Sequence, residues 1–247
     1  MKGIILAGGT GSRLFPLTKV TNKHLLPVGK YPMIFHSVAK LKQADICDIL
    51  IVTGKEHMGD VVNLLGSGRD MGVTFTYKVQ DEAGGIAQAL DLAEQFAKNE
   101  QMVVILGDNV FEESIVPFVS NFRTQGNGAK ILIQEVHDPQ RYGVPELEGD
   151  KIKSIEEKPK EPKSSYAVTG IYMYDSSVFE IVKTLKPSGR GELEITDVNN
   201  AYIEKNELTY DILQGWWTDA GTHASYAKAN ELAKDLLFGE EFGNLKL

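Results

Sequence analysis

Short apolar runs alternate along the chain with segments whose apolar residues recur every three or four positions, and this alternation limits the possible folds. The first run covers residues 4–7, and Met102–Leu106 is apolar throughout, which predicts a strand buried on both faces. Strands that alternate with helices favour a layered α/β fold whose central sheet is largely parallel. After residue 136 the pattern changes, and two short runs around Glu148-Gly149-Asp150 predict an antiparallel pair.

The size and charge of the chain argue against several classes of protein. Its 247 residues suffice for one large or two small domains, and the apolar share of 42% supplies an ordinary core. A formal net charge of −8 argues against a general nucleic-acid binder, so an anionic ligand needs a locally basic pocket. Cys47 is the only cysteine, which excludes a disulfide within the chain. No apolar run is long enough for a signal sequence or a membrane span, and we expect a cytoplasmic protein.

The first apolar run ends in a glycine-rich loop, GGTGSR at residues 8–13, and Lys23 follows shortly afterwards. Glycine has no Cβ, so the backbone N–H groups of such a loop can approach an anion closely. Arg13 can bind phosphate oxygens through two N–H groups, and Lys23 adds a second positive charge. The loop fits neither GxxxxGK[ST] nor GxGxxG, and Pro16 blocks an immediate helix. The segment predicts a nucleoside triphosphate site, and its structural alternative is an ordinary turn after a strand.

Two aspartates stand where a metal-binding carboxylate could lie. Asp108 follows the buried run Met102–Leu106, and open α/β sheets bind ligands at the carboxyl ends of their strands. Asp219 follows a pair of tryptophans, Trp216 and Trp217. Mg²⁺ usually takes one or two protein carboxylates together with phosphate and water oxygens. The alternative for each aspartate is a turn or helix cap, and the alternative for the tryptophans is the core.

A nucleotidyl transfer would use these groups without a general base. A sugar phosphate that attacks the α-phosphate of a nucleoside triphosphate is already ionised at neutral pH, so catalysis requires alignment and charge neutralisation. Besides Arg13 and Lys23, the chain has Lys158 and Arg190 as candidate cations for this charge neutralisation. Lys158 precedes Pro159, which predicts an extended backbone at the end of a strand, with the side chain in the cleft. For all four cations the alternative is a solvated surface position.

Nine segments occur in the order that they have in the sugar nucleotidyltransferases: GGTGSR, NKHLLPV, GGIAQA, LGDN, RYGV, EEKP, AVTGIY, RGELEITD and WWTDAGT. The chain resembles this family over almost its whole length, and most closely the branch that transfers a thymidylyl group to glucose 1-phosphate. The resemblance implies a Rossmann-like mixed sheet in a single domain, residues 1–247. About 1–110 would bind the nucleotide, about 111–222 would bind the sugar, and 223–247 would form a C-terminal helix and tail.

The implied reaction joins dTTP and glucose 1-phosphate into dTDP-glucose and pyrophosphate with Mg²⁺, in a homo-oligomer that binds neither nucleic acid nor membranes. By matched position, catalysis would depend on Arg13, Lys23 and Lys158. The residues that contact the nucleotide would be Leu6, Gly8, Gly9, Gln80 and Gly85. The residues of the sugar pocket would be Tyr142, Gly143, Glu157, Lys158, Val168, Arg190 and Trp217. The metal ligands would be Asp108 and Asp219.

Two features depart from the family's pattern. His24 stands where the family commonly has Gln, and it is the only histidine expected near the site, with packing as its alternative role. The chain also ends soon after its last helix, so we do not expect the regulatory nucleotide-sugar site through which dTDP-rhamnose inhibits longer members. The alternative functions are a UTP-preferring uridylyltransferase and a non-catalytic nucleotide-sugar sensor. The missing GxGxxG fingerprint argues against an NAD-dependent oxidoreductase.

Overall fold

The computed structural model describes residues 1–238 and 242 of the chain. Its strands are β1 (Lys2–Ala7), β2 (Pro27–Val28), β3 (Tyr31–Pro32), β4 (Asp48–Gly54), β5 (Thr74–Gln80), β6 (Met102–Leu106), β7 (Asn109–Phe111), β8 (Ala129–Glu135), β9 (Gly143–Glu148), β10 (Lys151–Glu157), β11 (Tyr166–Tyr174), β12 (Leu208–Ile212) and β13 (Trp217–Asp219). Its α-helices are α1 (Met33–Gln43), α2 (Met58–Leu65), α3 (Ile86–Asp91), α4 (Val116–Gln125), α5 (Val178–Thr184), α6 (Ile195–Glu204) and α7 (His223–Ala233).

Within this part of the chain, a seven-stranded sheet with the order β12-β8-β11-β6-β1-β4-β5 forms the centre of the fold. Strands β6, β1, β4 and β5 run parallel, so their carboxyl ends meet at one edge. Strand β11 is antiparallel to both β6 and β8, because the chain reaches it from the β9–β10 hairpin without the crossover that a parallel neighbour needs. The sheet is therefore mixed, as the resemblance implied.

Helices cover both faces of the sheet, and successive residues of β1 point to opposite faces. Ile5 packs in an apolar cluster with Val103 and residues of α1, whereas Ile4 packs with Val104 and residues of α3, α5 and α6. Burial on both sides explains why the central strands are apolar without alternation. Among the residues that the structure describes, no helix combines the length and the apolar character needed to cross a bilayer.

The predicted strands and helices are largely confirmed, and the differences have local causes. The spacing of Ile86, Leu90, Ala93 and Ala97 predicts one helix after Gly84-Gly85. Helix α3 ends already at Asp91, although Ala93 and Ala97 remain buried in the turns that follow it. Strand β7 and helix α4 were not predicted. Strand β7 has three residues and depends on its pairing with the distant β13, a contact that local sequence does not indicate.

Helix α7 begins after Thr222, as predicted. The Thr222 hydroxyl accepts a hydrogen bond from the N–H of Ser225, and the Ser225 hydroxyl accepts one from the N–H of Thr222. The spacing of Ala229, Ala233 and Leu236 predicts that they share a buried face. Ala229 and Ala233 lie on that face of α7, whereas Leu236 follows the end of the helix. The frayed tail predicted from residue 239 lies outside the described residues, apart from residue 242.

His36 in α1 is expected to make the fold sensitive to acid. Its Nε2 lies 3.0 Å from the carbonyl of Val28, and burial lowers its pKa from the ordinary 6.5 to about 4. Because the unfolded chain binds this proton first as the pH falls, stability present above pH 6.5 is lost progressively towards pH 4. The loss attributable to His36 reaches about 3 kcal/mol.

Urea unfolding of the wild type and of His36→Gln between pH 7 and pH 4 measures this contribution. In the variant, the free energy of unfolding should depend less on pH. Part of the dependence should remain because of His24, whose pKa is lowered to about 3 chiefly by burial. Identical pH dependence in the two proteins would contradict the assignment to His36.

Candidate active site

A cavity of about 210 Å³ lies at the carboxyl ends of β1, β4 and β5. Gly9, Lys23 and Gln80 are among the residues that line it. Gly8 directly precedes Gly9 in the chain, and a Cβ on Gly8 would lie 2.6 Å from Gln80 Oε1. Gly9 has a φ of 90°, which residues with a Cβ rarely adopt, and Leu6 is buried in β1 just before it. The structure thus brings the glycine-rich loop and the Gln80 amide together.

Gly85 connects this end of the site with a distant segment of the chain. Its φ is 103°, and a Cβ on it would lie 2.5 Å from the carbonyl oxygen of Leu193. The N–H of Leu193 donates to the carbonyl of Gly84 at 2.8 Å, and the N–H of Ala87 donates to that of Leu193 at 3.2 Å. The loop before α3 is therefore docked on the segment that precedes α6.

Lys23 forms a shielded ion pair with Asp108. Its Nζ lies 2.5 Å from Asp108 Oδ2, and the two side chains are only 13% and 15% exposed. Burial alone would raise the pKa of Asp108, but the charge of Lys23 and the hydrogen bonds from Lys23 and Asn109 contribute to holding this pKa well below its usual range. Asp108 is therefore ionised in the free protein.

A short antiparallel ladder holds the two candidate metal ligands together. Asp219, the last residue of β13, pairs with Asn109, the first residue of β7, which directly follows Asp108. The N–H of Ala220 also donates to the carbonyl of Asp108 at 2.7 Å. Backbone pairing between two short strands thus joins carboxylates that lie far apart in the sequence.

Gly221 leaves a small space that three charged groups face. A Cβ on this glycine would lie 3.3 Å from Arg13 Nη2 and 3.5 Å from the Oδ2 atoms of both Asp108 and Asp219. Burial raises the pKa of Asp219, and the neighbouring Asp108 carboxylate raises it further. The repulsion between these carboxylates is the kind that a bound cation relieves.

The two carboxylates fit a divalent cation. Mg²⁺ binds few protein carboxylates and completes its octahedral shell with phosphate and water oxygens. Among the described residues, no set of three or more His, Cys, Asp or Glu side chains forms a metal site, so phosphate and water would supply the other ligands. Such a site is suited to a metal that arrives with a phosphorylated substrate.

The other oxygen of Asp219 is held in place by neighbouring side chains. Tyr142 OH donates to Asp219 Oδ1 at 3.0 Å, and Arg141 Nη2 lies 3.5 Å from the same atom. The Arg141 guanidinium also lies over the Tyr142 ring, 5.2 Å from its centroid. These contacts leave Asp219 Oδ2 to face Gly221. The sequence did not indicate this role for the arginine of RYGV.

A second charged cluster surrounds Glu157 at the end of β10. Glu157 Oε1 lies 3.0 Å from Lys158 Nζ and 3.5 Å from Arg190 Nη2, and Oε2 accepts from Thr196 Oγ1 at 2.8 Å. A Cβ on Gly143 would lie 3.5 Å from Glu157 Oε2. The structure thus gathers several residues expected in the sugar pocket, and it adds Thr196, which the sequence did not indicate.

Lys158 does not have the extended backbone that its position before Pro159 predicts. Its φ is 49°, and its N–H donates to the carbonyl of Tyr142 at 2.9 Å, which closes the end of the β9–β10 hairpin. This tertiary contact outweighs the local preference imposed by the proline. The strand predicted to end at Lys158 ends one residue earlier, at Glu157.

Other residues singled out from the sequence are buried. Val168 lies in β11, and Trp217 donates its indole N–H to Asn109 Oδ1 at 2.6 Å. His24 is 1% exposed, and a Cβ on Gly107 would lie 2.8 Å from its ring. Burial lowers the pKa of His24 to about 3, so its neutral ring fits the packing alternative.

Asn109 orients Asp108, a role that the sequence did not reveal. Its Nδ2 donates to Asp108 Oδ1 at 3.0 Å, while its Oδ1 accepts from the N–H of Gly170 at 3.0 Å as well as from Trp217. Its place in LGDN was the only signal in the sequence. The partners Gly170 and Trp217 lie in β11 and β13, which are both distant from Asn109 in the chain.

Comparisons with known proteins identify the family of this chain. Residues 2–235 match the model of the nucleotidyl transferase family. A glucose-1-phosphate thymidylyltransferase of Neisseria meningitidis is 45% identical over 93% of this chain and 81% of its own length. A crystal structure of a Bacillus anthracis protein, provisionally named glucose-1-phosphate thymidylyltransferase, is 67% identical, with a TM-score of 0.94 and 98% coverage of both chains. A UDP-glucose pyrophosphorylase structure is 26% identical, with a TM-score of 0.85 and coverage of 93% of this chain and 97% of its own. The family match over almost the whole chain, together with these relatives, shows that the chain belongs to the nucleotidyl transferase family.

Proposed function

We propose that the chain transfers a thymidylyl group from dTTP to glucose 1-phosphate and releases pyrophosphate. The observation that carries this proposal is the convergence of Arg13, Asp108 and Asp219 around Gly221, beside the glycine-rich loop. A triphosphate on that loop would have its phosphates next to a cation and to a pair of carboxylates that suits a metal. The names of the relatives at 45% and 67% identity support dTTP and glucose 1-phosphate as the substrates.

The cations of the chain would lower the barrier by neutralising charge. Arg13 would bind the triphosphate and the leaving pyrophosphate, and Lys23 would contact the phosphates at the reacting centre. Because Lys23 is paired with Asp108 in the free protein, it would exchange this carboxylate for a phosphate oxygen. No side chain needs to act as a base, since the attacking phosphate is already ionised.

Asp108 and Asp219 would hold the divalent metal, which we propose to be Mg²⁺. Enzymes of the nucleotidyl transferase family generally use a divalent metal. When bound, the ion supplies positive charge to phosphate oxygens as a Lewis acid. Asn109 and Tyr142, which donate hydrogen bonds to Asp108 and Asp219, would keep the two carboxylates in position.

The proposed glucose site lies around Glu157. A carboxylate can accept hydrogen bonds from two sugar hydroxyls, and Lys158 and Arg190 would bind the sugar phosphate. Both cations contact Glu157 in the free protein, so the substrate would enter a cluster whose charges are already arranged. The other residues that we propose for this pocket are Tyr142, Gly143, Val168 and Trp217.

We further propose that different segments of the chain bind the nucleotide and the sugar. About residues 1–110 would bind the nucleotide, and about 111–222 would bind the sugar. The residues that we propose for nucleotide contact are Leu6, Gly8, Gly9, Gln80 and Gly85.

Pyrophosphate release tests the function directly. With Mg²⁺ and glucose 1-phosphate, we expect release from dTTP and weaker release from limiting UTP, because one methyl group in a pocket discriminates by about 1–3 kcal/mol. A strong preference for UTP would favour the second candidate, a uridylyltransferase, which the UDP-glucose pyrophosphorylase match supports. No release from either nucleotide would favour a non-catalytic sensor.

Gly221→Ala is expected to reduce activity without unfolding the protein. The new methyl group would lie between the two carboxylates and Arg13, where it would displace metal and phosphate, and we expect a rate about 10–100-fold lower. Gly59→Ala in α2 is a matched control, because a Cβ there meets nothing within 4 Å. Thermal unfolding should show both variants folded, and an unchanged rate in Gly221→Ala would contradict the proposed position of the metal.

A further inference from the structure

The amide of Gln80 is held by a chain of hydrogen bonds that ends on backbone groups. Gln80 Nε2 donates to Gln88 Oε1 at 2.9 Å and to the carbonyl of Gly85 at 3.2 Å. Gln88 Oε1 also accepts from the N–H of Gly84 at 3.0 Å. Gln80 itself is 8% exposed, so little solvent competes for its amide.

The backbone anchors fix which way each amide points. A backbone N–H can only donate, so the Gly84 N–H requires the oxygen of the Gln88 side chain. The Gly85 carbonyl can only accept, so it requires the nitrogen of the Gln80 side chain. If the Gln80 amide were turned over, its oxygen would lie against the carbonyl oxygen of Gly85 and against Gln88 Oε1. In the observed arrangement Gln80 Oε1 is left to face Gly8, at 2.6 Å from the position of a Cβ there.

We propose that Gln88 is a positioning residue for nucleobase selection. It locks Gln80 so that this side chain offers a hydrogen-bond acceptor, and not a donor, to the base. An acceptor at this point favours a base with a ring N–H, such as the N3–H of thymine or uracil. Cytosine has a lone pair at the same ring position and is disfavoured. This inference rests on the proposed nucleotide site, and it names the feature of the base that the site recognises.

The surroundings of Gln88 support a fixed role. Gln88 lies in the first turn of α3, and a Cβ on Gly84 would lie 2.4 Å from its amide group. The loop at Gly85 is in turn docked on Leu193. Both ends of the hydrogen-bonded chain are thus attached to rigid backbone, so the orientation of Gln80 is set before a nucleotide binds.

Calorimetric titration of the full chain with dTTP and dCTP, without sugar phosphate, tests this inference. We expect the wild type to prefer dTTP by at least about 10-fold and Gln88→Met to lose part of that preference, because only the carbonyl of Gly85, at 3.2 Å, then orients the Gln80 amide. Gln88→Glu keeps an oxygen that accepts from both Gly84 and Gln80, so it should retain the preference. A merely structural role would weaken the binding of both nucleotides alike and leave their ratio unchanged, and that result would overturn the proposal.

A second arm does not depend on the folding of any variant. The wild type should bind N3-methyl-dTTP at least about 10-fold more weakly than dTTP, because the methyl group removes the N–H that Gln80 Oε1 accepts. Equal binding would overturn the proposal. Pyrophosphate release is measured separately, so a wild type that binds dTTP but does not turn it over would refute the proposed function, whereas the dTTP-to-dCTP ratio of Gln88→Met would still decide the role of Gln88.

Discussion

Asp108→Asn is expected to lower the rate of pyrophosphate release from dTTP and glucose 1-phosphate by roughly 10²–10³-fold. The change keeps the shape of the side chain but removes one of the two negative charges that face Gly221. It also leaves Lys23 without its carboxylate partner. We expect weaker binding of the divalent metal in the presence of nucleotide, since one neutral amide replaces a charged ligand.

Two measurements separate this effect from general damage. Titration with Mn²⁺ in the presence of dTTP should show weaker metal binding in Asp108→Asn, whereas Asp150→Asn in the exposed β9–β10 turn should match the wild type in binding and rate. An Asp108→Asn variant with wild-type turnover would refute the proposed metal site.

Lys23→Met is expected to reduce both activity and stability. Loss of the cation at the reacting centre should lower the rate by roughly 10²–10³-fold. The free energy of unfolding should also fall by about 3 kcal/mol, because Asp108 would remain buried with no positive partner. The pKa of Asp108 should rise at the same time, since the charge of Lys23 is the largest of the contributions that lower it.

The double variant Lys23→Met/Asp108→Asn distinguishes these two effects. Removing both charges should restore most of the lost stability, because no unpaired charge is then buried, while activity should stay as low as in either single variant. Urea unfolding and pyrophosphate release measure the two quantities on the same samples. A double variant no more stable than Lys23→Met would show that the ion pair is not the source of the loss.

Local signals in the sequence were sufficient for the class of fold and for many of the charged candidates. Apolar runs such as Met102–Leu106 identify buried strands, and a glycine-rich segment after residues 4–7 identifies a loop with unusual backbone freedom. Such features depend on neighbours within a few residues, so they can be read without a structure. Asp108 was found in this way, because it directly follows a buried strand.

Contacts between distant residues decided the rest. The pairing of β7 with β13 brings Asp219 beside Asp108, and neither three-residue strand has a pattern that would predict it. The backbone of Lys158 turns away from the form that Pro159 favours because it bonds to Tyr142. The orientation of Gln80 likewise depends on Gln88.

The sequence by itself therefore determined which chemistry the chain can carry: a layered α/β sheet, a loop able to approach phosphate, and a set of cations and carboxylates. Only the tertiary structure decided which of these groups meet, namely Arg13, Asp108 and Asp219 around Gly221, and which are already paired, as Lys23 is. The physical reason is that short ladders and single side-chain bonds are too weak to form locally. They persist because the packed core fixes their partners in place.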